Sequence, residues 1–228
     1  MSLTLYGAPL SPFVRKVDAF LREKGVPFEL ESVNIMPMPD WFQAISPARR
    51  IPVLRDASIG AEGTLGTIPD SSAICGYIER KHPEPALYPS EPYAYGRALW
   101  YEEYCDSELM GQIGLGIFRP IQFNRFSGKE PDLETAKKTW NEKLPRYFDY
   151  LEGELGDREF LVGSSLSIAD LALGCTLMQL DLVAGLPPSD RWPGLAGFGE
   201  RMKARPSFGP CLEICRKIVK QDPIDLGR

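Results

Sequence analysis

The chain has 228 residues, enough for one large domain or two small ones, and its 43% hydrophobic and 25% charged content is that of a globular protein rather than a disordered or fibrous one. With 26 Lys+Arg against 31 Asp+Glu the net charge is -5, which supplies no field for phosphate backbones or anionic lipid, so nucleic acid is not an expected partner. A single histidine, His82, excludes zinc sites built on paired histidines, and its setting in Lys81-His82-Pro83 reads as a helix stop rather than a catalytic base.

Residues 2 to 6, SLTLY, alternate polar and apolar like a short strand, and Gly7-Ala8-Pro9 breaks it. Ser11-Pro12 then opens an amphipathic helix whose apolar positions Phe13, Val14, Val17, Phe20 and Leu21 recur at three- and four-residue steps, closing at Lys24-Gly25. Phe28 to Val33 alternates again, so the opening reads as a βαβ crossover. A loop rich in Pro and Met (Pro37, Met38, Pro39) leads to a third short strand over Ile51 to Leu54, with Thr67-Ile68 as its hairpin partner. Pro52 cannot donate to a ladder, so it belongs at an edge, a bulge or a cis turn. Residues 71 to 81 form a helix stopped by His82-Pro83.

Three prolines, Pro83, Pro85 and Pro89, mark 83 to 92 as a linker between a first domain at 1 to 82 and a second at 93 to 228. Beyond it the pattern is helical throughout, over about 93 to 125, 132 to 154, 167 to 184, 194 to 204 and 208 to 220. The fold class is therefore α/β followed by all-α. Ser167 and Asp170 form a capping box that nucleates a core helix, with Leu166 placed to staple against Leu171. The five cysteines, Cys75, Cys105, Cys175, Cys211 and Cys215, are odd in number and contain no CxxC pair; with no amino-terminal signal peptide, they point to a reducing, cytoplasmic setting and to burial as small hydrophobes. No apolar run approaches the roughly 20 residues that span a bilayer, so no membrane partner is expected.

Two helix starts carry residues suited to chemistry. Ser11 lies over the positive end of the first helix beside unpaired backbone N–H groups, a place for an anion or thiolate; Asp70-Ser71 opens the helix at 71 with a carboxylate, a hydroxyl and free N–H groups, a grip for an amino acid's charged ends. Taken alone, each reads first as an ordinary N-cap. Their order is informative: Ser11 at a strand-to-helix turn, then Ile51-Pro52-Val53-Leu54, then Pro69-Asp70-Ser71-Ser72-Ala73-Ile74, then Ser167-Ile168-Ala169-Asp170 in a helical half. Over nearly its whole length the chain resembles the cytosolic glutathione transferase family, in its serine-type, bacterial-like form.

That resemblance implies a thioredoxin-like amino-terminal domain and an all-helical carboxy-terminal domain, a homodimer, and glutathione as cosubstrate with no metal. It implies that Ser11 stabilises the glutathione thiolate, that Ile51 pairs with the cysteinyl backbone before a cis Pro52, that Asp70 and Ser71 hold the γ-glutamyl end, and that Arg50 meets the glycyl carboxylate. Tyr6 is the alternative sulfur ligand, since some classes use a tyrosine near the end of this strand. A hydrophobic electrophile would be drawn to Leu10, Phe13, Tyr104 and Glu108, the last two four apart on one helix face. Detoxification by conjugation is the implied activity; a glutathione-dependent isomerase or ether-cleaving enzyme, or a non-catalytic glutathione-binding or protein-interaction module, is the alternative on the same scaffold. Serine where cysteine-type relatives place a cysteine weighs against mixed-disulfide chemistry. Ser46-Pro47-Ala48-Arg49-Arg50 departs from the family's Asn-Pro-x-Gly-Lys by losing a glycine.

Overall fold

The computed structural model describes residues 3–227, so Ser2 of the expected first strand lies outside the described residues. Alternation in β1 (Leu3–Tyr6) buries Leu3 and Leu5 and leaves Thr4 and Tyr6 half-buried. α1 (Pro12–Glu23) follows, then β2 (Glu29–Glu31), parallel to β1 with Leu5 opposite Leu30. β3 (Val53–Asp56) runs antiparallel to β1, with Leu54 opposite Leu5, and β4 (Thr67–Pro69) antiparallel to β3, giving the order β2-β1-β3-β4. α3 (Ser71–Lys81) packs beside α1.

Three local expectations shift. The strand expected over Phe28 to Val33 pairs only over three residues, because β2 is an edge strand with exposed Glu29 and Glu31 and neighbours on one side alone. The third strand begins at Val53 rather than Ile51, since Pro52 has no N–H to contribute and precedes the ladder through a cis Ile51-Pro52 bond. In the stretch after the Pro-Met loop, a short helix α2 (Asp40–Ile45) forms with Pro39 at its N-cap and Asp40 in its first turn. Six residues are too few for a periodic signal.

The chain groups into two compact units: one holds the chain up to Leu87 together with Pro206–Ile214, the other Tyr88–Arg205 and Cys215–Arg228. A single cut at 83 to 92 thus leaves out a return of the chain to the first unit.

The second unit is helical among the described residues. α4 (Pro92–Glu103) runs on through the π-helical turns Tyr104–Leu109, α5 (Met110–Ile113), the π-helical Gly114–Phe123 and α6 (Asn124–Phe126). α7 (Leu133–Lys138), a π-helical turn at Thr139–Lys143 and α8 (Leu144–Leu155) form the next rod. α9 (Ile168–Ala184) is buried along almost its full length and is packed by α4 and by α10 (Pro193–Ala204); α11 (Gly209–Val219) begins in the segment that returns to the first unit, and only its end, from Cys215, belongs to the second. No helix of the described residues is long and apolar enough to cross a membrane.

The capping box at the start of α9 is present and larger than the motif alone implies. One Asp170 carboxylate oxygen accepts from the Ser167 N–H and hydroxyl, each at 2.9 Å, and the other accepts from the Leu161 N–H at 2.8 Å, so Asp170 ties the preceding loop to the helix. All five cysteines are buried and none is in a disulfide. Of the three glycines in the long helical run, only Gly116 meets a neighbour closely: a Cβ there would lie 2.4 Å from the Thr139 hydroxyl, so glycine lets these two helical rods approach.

Candidate active site

The turn between β1 and α1 is compact. A Cβ on buried Gly7 would lie 2.5 Å from a methyl of Val14, so this glycine lets the turn fold down onto α1. The Ser11 N–H donates to the Ala8 carbonyl at 2.9 Å, and the Ser11 carbonyl accepts the first helical bond from the Arg15 N–H at 3.0 Å. Ser11 is the N-cap of α1, its backbone extended and its hydroxyl oxygen accepting from the Val14 N–H at 3.5 Å, with Pro12 at the first helical position. A hydroxyl has two lone pairs and one proton, so capping through a lone pair leaves the proton to be donated. The cap and the anion-facing donor are therefore compatible roles for one side chain.

Asp70 caps α3, one carboxylate oxygen accepting from the Ser72 N–H at 2.9 Å and the Ala73 N–H at 3.1 Å. Its side chain is exposed, while Ser71 behind it is buried. Asp70 also adopts φ 85, a conformation that only glycine takes without strain. The Asp70 N–H donates to the Pro52 carbonyl at 3.3 Å, which joins the proline turn to the start of α3. Ile51 is half-buried, Pro52 fully buried.

The loop before Ile51 is closed by one side chain. The Ser46 hydroxyl donates to the Arg50 carbonyl at 2.7 Å and accepts from the Arg50 N–H at 3.0 Å. Arg49 takes φ 51, so the left-handed turn expected of a glycine at this point is kept by an arginine, and the two exposed guanidinium-bearing residues Arg49 and Arg50 stand side by side on it. Tyr6 is half-buried among aromatic rings, with Trp41 at 5.4 Å and Phe42 at 6.4 Å between ring centres, both edge-on.

Leu10 and Phe13, both half-buried, flank Ser11 in the first unit, whereas Tyr104 and Glu108 belong to the second. Tyr104–Leu109 is π-helical, and because such a turn closes from i to i+5, positions four apart fall just short of a full turn instead of just past it, so Tyr104 and Glu108 stay on one helix face. Tyr104 packs among Trp100, Tyr147 and Tyr150, at 5.6, 5.9 and 5.0 Å, while Glu108 is exposed. Burial, reinforced by the neighbouring Tyr147 and Tyr150, pushes the Tyr104 hydroxyl up to about 12, which keeps it a neutral proton donor at any physiological pH.

Sequence reasoning missed a feature of α1. An amphipathic pattern predicts one solvated face, yet every residue from Val14 to Leu21 is buried, including Arg15, Lys16 and Asp18. Lys16 reaches α3, its ammonium donating to the Ser72 hydroxyl at 3.1 Å. No periodicity in the sequence separates a buried lysine from an exposed one.

Comparison with known proteins extends these observations. Residues 5–86 match the model for the glutathione S-transferase N-terminal domain, and residues 109–206 that for the glutathione S-transferase C-terminal domain. FtsZ-localized protein A of Caulobacter vibrioides is 30% identical over 213 residues, covering 92% of this chain and 90% of that protein. Glutathione S-transferase theta-1 of Mus musculus is 28% identical over 234 residues, covering 99% of this chain and 94% of that protein. The crystal structure of a glutathione S-transferase from Rhodospirillum rubrum F11 superposes with a TM-score of 0.81 at 27% identity, covering 92% of this chain and 91% of that one.

Proposed function

The chain belongs to the glutathione S-transferase family, and from that premise we propose that it binds glutathione and uses Ser11 to hold the sulfur as a thiolate for attack on a hydrophobic electrophile. The observation that carries this reading is the assembly of Ser11, Ile51-Pro52 and Asp70-Ser71 at two helix starts and a strand start within one unit, with Asp70 and Pro52 bonded through their backbones. The cysteinyl backbone of glutathione adds to the main chain at Ile51, as an extended peptide adds to an open strand. The second Asp70 oxygen, free of the cap, meets the γ-glutamyl ammonium, and the fork of Arg50 meets the glycyl carboxylate.

The Ser11 hydroxyl donates to the sulfur, and the positive end of α1 favours the anion. Each unit by which the thiol pKa falls represents about 1.4 kcal/mol of preference for the thiolate. The thiol proton goes to solvent; the sulfur lone pair then forms a C–S bond while the leaving group departs with its electron pair, so the nucleophile is the cosubstrate's and no histidine is needed. In the first unit, Leu10 and Phe13 beside Ser11 are the candidate contacts for the electrophile. We read the protein as a cytoplasmic homodimer, which sedimentation of the purified chain tests.

The test is ultraviolet difference absorbance of the thiolate as glutathione is added near neutral pH. Wild type should give a saturable signal, and Ser11→Ala, still folded, should lose it, with kcat/KM against a model electrophile falling about 10- to 100-fold, the worth of one charge-assisted hydrogen bond. Retention of the signal in Ser11→Ala and its loss in Tyr6→Phe would transfer the role to Tyr6. A second reading, a non-catalytic module, is favoured by one observation: a relative at 30% identity is named for localisation with FtsZ rather than for an activity. Glutathione binding without any thiolate signal in wild type would decide for it.

A further inference from the structure

Resting on the glutathione reading, we infer that Lys16 and Ser72 form a positioning pair that holds the Asp70 turn in its glutathione-binding shape. Lys16 has no exposed surface, and its ammonium is set against the first turn of α3, where the positive end of the backbone dipole disfavours a cation. Burying a lysine in such a place opposes stability, and conflicts of this kind between local preference and tertiary placement concentrate at functional sites. There the ammonium donates to the Ser72 hydroxyl, at 3.1 Å.

Ser72 is in turn built into the Asp70 cap, its N–H donating to the Asp70 carboxylate at 2.9 Å. Asp70 is held at φ 85, a backbone state that persists only where the surroundings over-determine it. Two constraints converge on it: the Pro52 carbonyl accepts its N–H from the strand side, and Lys16 anchors the next turn from the α1 side. α1 is capped by Ser11 and carries Lys16 five residues after it, so the same helix that presents the sulfur ligand also fixes the turn that presents the γ-glutamyl ligand. The spacing between the two ends of the glutathione site is thereby set by a rigid helix rather than by loops.

The pair acts on affinity for the γ-glutamyl end and not on the sulfur. S-methylglutathione, a thioether that owes nothing to the Ser11 hydroxyl, is therefore the probe. Ser72→Ala should weaken its binding by calorimetry about 5- to 10-fold, with the pKa of the glutathione thiol at saturation unmoved, and Ser72→Thr, which keeps the hydroxyl, should restore it. Lys16→Arg, which keeps a donor, should retain more affinity than Lys16→Met; if Lys16→Met does not fold, the serine pair still decides. Equal affinity of Ser72→Ala and wild type would overturn the inference alone. Wild type that binds neither glutathione nor S-methylglutathione would overturn it together with the glutathione reading.

Discussion

Two buried helices, α1 in the first unit and α9 in the second, show how differently burial can be used. α9 is covered on nearly all sides by apolar groups: Leu171, Leu173, Leu177, Leu180 and Val183 are core, and its one buried carboxylate, Asp170, is spent on its own cap. α1 is just as covered over Val14 to Leu21, yet three of those eight residues are charged. Burying apolar surface stabilises by about 25 cal/mol per Å², whereas burying charge opposes folding unless each group is paired and hydrogen-bonded. A helix that is buried and apolar is a core element; a helix that is buried and charged is holding something in place. Asp18 shows the cost: burial raises its pKa even though Arg22 pairs with it at 2.7 Å.

The sharpest way to break this contrast is at Asp170. Removing it orphans the buried Leu161 and Ser167 N–H groups, so Asp170→Ala should lower stability by about 3 kcal/mol in urea unfolding, well beyond the roughly 1 kcal/mol of a surface cap. A loss under 1 kcal/mol would reduce Asp170 to an ordinary cap and remove the contrast. Next in size is Gly116→Ala, which sets a methyl on Thr139 and should cost about 2 kcal/mol, partly regained with Thr139→Ala; a neutral result would show that the two helical rods can move apart at no cost.

Two buried carboxylates, Asp56 in the first unit and Asp170 in the second, shift with opposite sign. In the first, burial alone would raise Asp56, but hydrogen bonds from Lys81, Ser58 and Tyr77 outweigh it and hold the carboxyl well below the usual range. A depressed folded pKa contributes stability that is complete above the unfolded value of about 3.9 and is lost as the pH falls below it. In the second, burial raises Asp170 despite its three donors, so folding there favours the protonated form and stability falls as the pH rises through the range above about 3.9. Carboxyl carbon shifts followed by NMR should show Asp170 titrating above pH 4 and Asp56 still ionised there; a common midpoint would erase the difference. The smallest effect is at the loop before the proline turn, where Arg49→Gly relieves a left-handed arginine and should raise stability by no more than about 1 kcal/mol, read as a shift in thermal midpoint.

Much of the fold is written locally. Ser11-Pro12 and Asp70-Ser71 announce helix starts, His82-Pro83 a stop, and the five apolar-periodic stretches after residue 92 correspond closely to the helical rods. α2 was invisible because six residues hold less than two turns, and the π-helical turns because an inserted residue leaves composition unchanged. Of the candidate site, Ser11, Ile51, Pro52, Asp70 and Ser71 were legible as short motifs, since each does a backbone job that only a few residue types can do.

What the sequence by itself determined is therefore the set of elements, the caps that bound them and the family to which their order belongs. The tertiary structure alone decided that Arg49 would turn left-handed without a glycine, that Asp70 would be held at positive φ, that Pro206–Ile214 would return to the first unit, and that Lys16 would be buried against α3. The physical reason is range. Capping, periodicity and proline chemistry act over three or four residues and are spelled in the chain, whereas Lys16 and Ser72 are 56 residues apart, and their meeting is fixed only when α1 and α3 pack against each other.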